Sequence, residues 1–302
     1  MITSVRWEIP EPLDVFEITT PDGASIFVRR HGNPNGPRIV LSHANGFSAD
    51  AYYPFWSHFT RRFDVFIHDL RNHGWNPAGD LRVHNVAAMV NDSELVVQGI
   101  DRRYANKPRA GIFHSLTSMV ALRQAALGGG GYTALVLFDP TVCPSGGFPK
   151  DLQGIGSRMR DFAGKRQNRF NSPEAYTEIL SRSRVFERVH PDVINLFART
   201  TLRRTADGTD YELCCPPAFE AQLAEYIFLW SMIVDFDSVA CPIKVIGSDP
   251  TVPYTYMPSM DLGELVQVDY DFVPETSHLL QLEHPDTCAA LTFEFLNAQG
   301  FS

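Results

Sequence analysis

The stretch Ala110-Gly111-Ile112-Phe113-His114-Ser115-Leu116-Thr117 is an apolar run that ends at a serine and passes directly into residues with helical spacing. A serine on a strand-to-helix turn presents its hydroxyl at the carboxyl edge of a sheet. The helix start behind it points amide groups at any developing negative charge. That is a position for a nucleophile. Glycines usually flank such a serine at two positions to relieve crowding, and here those positions hold Phe113 and Thr117. A second run, Ile39-Val40-Leu41, enters the small-residue loop Ser42-His43-Ala44-Asn45-Gly46-Phe47, where an exposed backbone amide can serve as a further oxyanion donor. His278 lies in a loop just before Pro285, and Asp249 follows the run Ile243 to Ile246, so the chain order is Ser, Asp, His.

These residues need a scaffold that carries them to one edge. Asp14 to Thr19 alternates, Pro21-Asp22-Gly23 turns, and Ser25 to Arg30 returns, which reads as an antiparallel hairpin. The runs Ile39–Leu41, Val65–Ile67, Gly111–Phe113, Leu135–Phe138 and Ile243–Ile246 are short and apolar on both faces, as strands buried between two helical layers must be. Helices are expected between them: Val86 to Tyr104 with Asn85 as N-cap, Leu116 to Leu127 halted by Gly128 to Gly131, and Pro285 to about Gln299. The fold class is therefore α/β, a mostly parallel sheet with an N-terminal antiparallel hairpin and helices on both faces. Between Phe138 and Ile243 no convincing strand appears, and residues 141–235 read as a helical insertion over one end of the sheet. The core is then split into residues 1–140 and 236–302.

Composition narrows the function classes. The 302 residues carry 26 Lys and Arg against 35 Asp and Glu, a net charge of −9, which argues against nucleic-acid or anionic-membrane partners. Apolar runs such as Ala134 to Phe138 and Tyr226 to Val234 fall short of the ~18 residues that cross a bilayer. Met1 to Pro10 shows no apolar run, so no secretory signal is read there. Cys143, Cys214, Cys215, Cys241 and Cys288 lack the paired spacing of a zinc site and are expected to be reduced thiols in a cytoplasmic protein. No helical His-x-x-x-His suggests a metal, and Gly128 to Gly131 follows a helix where a dinucleotide fingerprint must follow a strand.

The chain resembles the α/β-hydrolase family over nearly its whole length. The matching pieces are His43-Ala44-Asn45-Gly46, Asp69-Leu70-Arg71-Asn72-His73-Gly74, His114-Ser115, Leu137-Phe138-Asp139-Pro140, Gly247-Ser248-Asp249, and Ser277-His278 with Glu283 and Pro285 following. The resemblance implies a Ser-His-acid hydrolase without cofactor or metal, with residues 141–235 as its lid. Ser115 would be the nucleophile and His278 the base. Asp249 would be the acid, with Asp139 at the end of the preceding strand as the alternative, because Gly247 to Asp249 is one residue shorter than the family's usual spacing. The amides of Asn45 and Leu116 would form the oxyanion hole.

The expected activity is cleavage of a carboxylic ester, lactone or thioester of a small to medium, partly apolar substrate through an acyl-serine. Two alternatives stay open: a carbon-carbon hydrolase acting on a diketone, and a non-catalytic small-molecule binder. The expected partner is the small-molecule substrate, with a homodimer also open. His43 and His73 read as loop supports, and His114 is expected to point away from the nucleophile. The arginines of the insertion read as a solvated face, with a carboxylate-binding cluster as the sharper alternative. Tyr226, Phe228 and Trp230 read as packing or pocket lining.

Overall fold

The structure, a computed structural model, describes residues 7–142, 152–231, 236–252 and 268–301. Cys143 and the parts of the insertion between these ranges lie outside the described residues, as do the side chains of Phe228 and Trp230.

The chain opens with β1 (Asp14–Thr19) and β2 (Ser25–Gly32), paired antiparallel, followed by β3 (Arg38–Leu41), the short helix α1 (Tyr53–Trp56) and β4 (Asp64–His68). Next come α2 (Val86–Arg103), β5 (Arg109–His114), α3 (Leu116–Ala126) and β6 (Ala134–Phe138). An inserted segment holds α4 (Leu152–Gly164), β7 (Arg169–Phe170), α5 (Pro173–Ser181), α6 (Pro191–Thr201), β8 (Leu202–Arg204), β9 (Tyr211–Leu213) and α7 (Pro217–Ser231). The core resumes with β10 (Ile243–Gly247), β11 (Val268–Phe272), α8 (Leu280–Glu283) and α9 (Pro285–Ala298).

The large sheet runs β1-β2-β4-β3-β5-β6-β10-β11, antiparallel at β1-β2-β4 and parallel from β4 onward. Strands β3, β4, β5, β6 and β10 are buried along their whole length, which is what a sheet covered on both faces demands. Their side chains alternate between two apolar layers. Ile39, Val65, Ile112 and Val136 pack with Phe55, Trp56 and Phe59 around α1, and with Phe295 and Leu296 of α9. Val40, Phe66, Leu135 and Val245 pack with Met89 and Val97 of α2 and Met119 and Leu122 of α3. The Asn85 side chain accepts from the Ala88 amide and caps α2.

Two features were not expected from the sequence. β11 adds an eighth strand in which apolar and acidic residues alternate, with Asp269 and Asp271 both reaching Lys244 of β10. The inserted segment is helical for most of its length but carries a three-stranded antiparallel sheet, β7-β9-β8, with strands of only two or three residues. Such strands are too short to show a periodicity.

Candidate active site

β5 ends at His114, and the chain turns through Ser115 at φ 53°, ψ −114° before entering α3 at Leu116. A positive φ on a residue with a side chain is strained, and such strain persists only where the surroundings over-determine it. Three restraints do so. The Ser115 amide donates to the Phe138 carbonyl of β6 at 2.9 Å, which continues the parallel pairing one residue past the strand. Thr117 donates its hydroxyl to the His114 carbonyl at 3.0 Å and accepts from the His114 amide at 3.1 Å. The ring of Phe113 lies over Gly111 and packs edge-on against Tyr132. The two residues standing where glycines were expected are thus part of the turn's support.

Ser115 keeps 5% of its surface exposed. Its Oγ lies 2.9 Å from His278 Nε2. His278 Nδ1 bonds Oδ2 of Asp139, a residue at the end of β6 with φ 39°. An ionised carboxylate only accepts, so Nδ1 carries the proton and Nε2 offers its lone pair to the serine hydroxyl. Asp139 Oδ1 accepts from the Ser248 hydroxyl at 3.2 Å and from its amide at 3.3 Å.

The acid beside His278 is therefore Asp139 and not Asp249, a correction to the expected assignment. Successive side chains at a strand end point to opposite sides. Ser248, the first residue after β10, faces Asp139, which turns Asp249 away. The Asp249 carboxylate accepts from the Glu275 amide at 2.8 Å and from the Thr251 amide and hydroxyl at 2.8 and 2.7 Å. The Glu275 amide first, then Thr251, hold its carboxyl below the usual carboxylate range. Its own amide donates to the Thr276 carbonyl, so Asp249 fastens the loop that carries His278. Ser277, directly before His278, is bound through its amide and hydroxyl to Glu283 of α8.

The loop after β3 approaches the same edge. It is a tight turn in which the Phe47 amide bonds the Ala44 carbonyl and Gly46 adopts φ 77°. Three side chains set it. His43 Nδ1 donates to the Ala44 carbonyl at 2.7 Å while its Nε2 accepts from the Leu70 amide at 3.1 Å. His73 Nδ1 donates to the Arg71 carbonyl, and its Nε2 accepts from the Gly46 amide at 3.0 Å. The Ala44 amide donates to the Tyr52 hydroxyl at 3.3 Å. Each imidazole here acts once as donor and once as acceptor, which only the neutral ring can do. Burial first, with neighbouring histidines adding for His73, pushes both below the ordinary histidine value. Leu116 opens α3, so its amide is among the donors a helix start leaves unpaired.

The inserted segment meets this loop through α7. Asn45 donates its side-chain amide to the Glu220 carbonyl at 3.0 Å, and the Glu220 carboxyl lies so close to Gly46 that a Cβ there would meet it at 2.8 Å. Glu220 is paired with Arg166, which also bonds Tyr176. Arg160 pairs with Glu225 and Asp161, and exposed Arg182 with Glu178. Phe47 packs edge-on against Phe197 of α6. His114, expected to point away from Ser115, has its ring beside that of His278, with centroids 4.8 Å apart and a tilt of 40°. Nothing in the sequence signalled Tyr52, Ser248 or this use of His114. The cues to the acid were the short Gly247 to Asp249 spacing and Asp139-Pro140 closing the strand beside Ser115. Among the described residues no three His, Cys, Asp or Glu side chains gather to hold a metal, and no helix is long and apolar enough to cross a membrane.

Residues 39–291 match the alpha/beta hydrolase family, and the chain belongs to it. No curated protein sequence matches the chain. Among solved structures, E-2-(acetamidomethylene)succinate hydrolase is similar with a TM-score of 0.75 at 16% identity, covering 94% of this chain and 99% of the other. The enol-lactonase from Burkholderia xenovorans LB400 matches with a TM-score of 0.68 at 17% identity, over 93% and 99% of the two chains. A thermophilic esterase from Thermogutta terrifontis matches with a TM-score of 0.66 at 19% identity, over 95% and 99%. At such identities the likeness is one of fold.

Proposed function

We propose that this chain is a serine hydrolase that cleaves a carboxylic ester, lactone or thioester of a small to medium, partly apolar substrate. The observation that carries the reading is the line Ser115 Oγ to His278 Nε2 at 2.9 Å, with Asp139 on the far nitrogen of the same ring. In this reading Ser115 attacks the carbonyl carbon while His278 takes its proton, and the carbonyl π electrons move onto oxygen. The amides of Asn45 and Leu116 hold that oxyanion, with each such donor worth about 3 to 4 kcal/mol in well-studied hydrolases. Collapse expels the alcohol or thiol, which receives the proton from His278. Water then attacks the acyl-serine by the same route, with His278 again the base. Asp139 holds the imidazole in the tautomer that faces Nε2 toward the serine and stabilises the imidazolium that forms.

The inserted helices, which meet the 43–47 loop through Glu220 and Phe197, would act as a lid over the site. Structures named for lactone and ester hydrolysis share the fold and support an acyl substrate.

A serine-directed fluorophosphonate tests the chemistry. The protein is expected to label at Ser115, and Ser115→Ala or His278→Ala to abolish labelling. A folded wild type that does not label would overturn the reading in favour of a small-molecule binder. Turnover of a diketone with little hydrolysis of esters of matched size would replace the acyl substrate by a carbon-carbon bond.

A further inference from the structure

The geometry points to Tyr52 and His114 as a positioning pair that holds the ring of His278 and the oxyanion loop in register with each other. This rests on the reading of His278 as the base.

His114 is buried, and its ring lies 4.8 Å from that of His278 at an interplanar angle of 40°. Its Nδ1 is 2.6 Å from the Tyr52 hydroxyl. Tyr52 is itself buried, at the end of the turn Ala49–Tyr52, and its oxygen receives the Ala44 amide. A phenol has one proton to give, and the Ala44 amide can only donate. The arrangement that uses the phenol proton has the Tyr52 hydroxyl accepting from Ala44 and donating to His114 Nδ1, with the ring's own proton on Nε2. One phenol therefore touches the residue before Asn45 on one side and the neighbour of the base on the other.

The bond also fixes the charge of His114. Its Nδ1 lone pair is occupied by the phenol proton, so the ring stays neutral. The groups facing it are His278 from the loop before α8, Tyr52 from the turn before α1 and His43 from the loop after β3. None of them is an anion that would favour a cation. Burial first, then the charge of His278 when protonated, pushes His114 well below the ordinary histidine value, and burial pushes the Tyr52 phenol up, so it keeps its proton. A neutral ring matters beside His278, which becomes cationic in each half of the proposed reaction. A second cation 4.8 Å away would oppose that step.

The test follows fluorophosphonate labelling of Ser115 across pH in wild type, Tyr52→Phe, His114→Phe and the double variant, with thermal melts to establish folding. In wild type one proton is expected to block labelling at low pH. Tyr52→Phe uncaps His114 Nδ1, so either ring of the pair can take that proton; its limb is expected to stay one proton steep but to move to higher pH, with labelling at the plateau at least tenfold slower. His114→Phe is expected to be similarly slow without that upward move, and the double variant to behave like His114→Phe alone. Wild type that labels, beside a folded Tyr52→Phe that labels as fast and with an unmoved limb, would overturn the pairing while leaving the serine chemistry intact. Wild type that fails to label would overturn the parent reading instead. Should His114→Phe fail to fold, the position of the limb in Tyr52→Phe decides the matter alone.

Discussion

Gly111 and Phe113 share one face of β5, and the absence of a side chain at the first makes room for the ring of the second. A Cβ at position 111 would lie 2.8 Å from Leu135 Cδ2, 3.1 Å from the Tyr132 ring and closer still to Phe113. The glycine missing next to Ser115 has in effect moved two residues back. Gly111→Ala is expected to destabilise the protein by about 1 to 3 kcal/mol through overpacking, read from chemical denaturation, and to slow Ser115 labelling by displacing the turn. A neutral effect on stability would mean that the Phe113 ring has another place to go.

The two candidate acids separate cleanly by substitution. Asp139→Asn removes the acceptor that fixes the His278 tautomer and is expected to lower kcat by roughly 10³- to 10⁴-fold, the scale known for triads of this kind. Asp249→Asn keeps the shape of the loop tether to Glu275 and Thr251 and is expected to stay within about tenfold of wild type. Steady-state rates on any ester the protein turns over provide the check, and a reversed order would return the acid role to Asp249.

Thr117 is expected to be worth more than a helix residue of its size. Thr117→Val preserves the volume but leaves the buried His114 amide without its acceptor, a loss of about 1 to 3 kcal/mol. Denaturation midpoints measure it directly. Thr117→Ser keeps the hydroxyl and should recover most of the difference.

Acid should unfold this protein earlier than its carboxylates alone would require. His31 and His68 are lowered to about 4 and His84 to about 3, in each case chiefly by burial, and His43, His73 and His114 are lowered in the same direction. In the unfolded chain each titrates near 6.5. Between pH ~6.5 and ~4 the unfolded state therefore binds more protons, so stability is full above ~6.5 and falls as pH drops through that window. Buried Asp50, Asp92, Glu220 and Glu283 are raised by burial and act in the opposite sense, so the slope should be less than six protons. Denaturant unfolding at a series of pH values should show a net uptake of more than one proton; a flat profile from pH 7 to 4.5 would contradict the assignment of these rings as neutral.

Much of this architecture was legible in the residue pattern because burial on both faces writes itself as apolar runs, and β3 through β6 and β10 fall where those runs lie. Ser115 stood out by its strand-to-helix turn, and His278 through the resemblance that Glu283 and Pro285 carry. What was not legible depends on sidedness. Whether Ser248 or Asp249 faces Asp139 and the histidine behind it is decided by the last residue of β10 and how far the strand pleat continues beyond it, which leaves Ser248 on Asp139 and turns Asp249 away, and no one-dimensional spacing reports this. The same holds for His114. Its neighbourhood with Ser115 in the chain says nothing of its ring lying beside one 164 residues away, because that contact is made only when the loop before α8 folds back. β7, β8 and β9 are too brief to leave a pattern, and β11 hides its strand character behind acidic residues that answer Lys244.

Ser115 hangs its amide on Phe138, and Asp139 is the very next residue, so hydroxyl and carboxylate ride on adjacent rails joined by a main-chain bond. A distortion that shifts one rail carries the other with it. The third rail, β10, grips the same carboxylate residue from its far side, with the Asp139 amide on the Ile246 carbonyl and the Ser248 amide and hydroxyl on Oδ1, so three neighbouring strands move together or not at all.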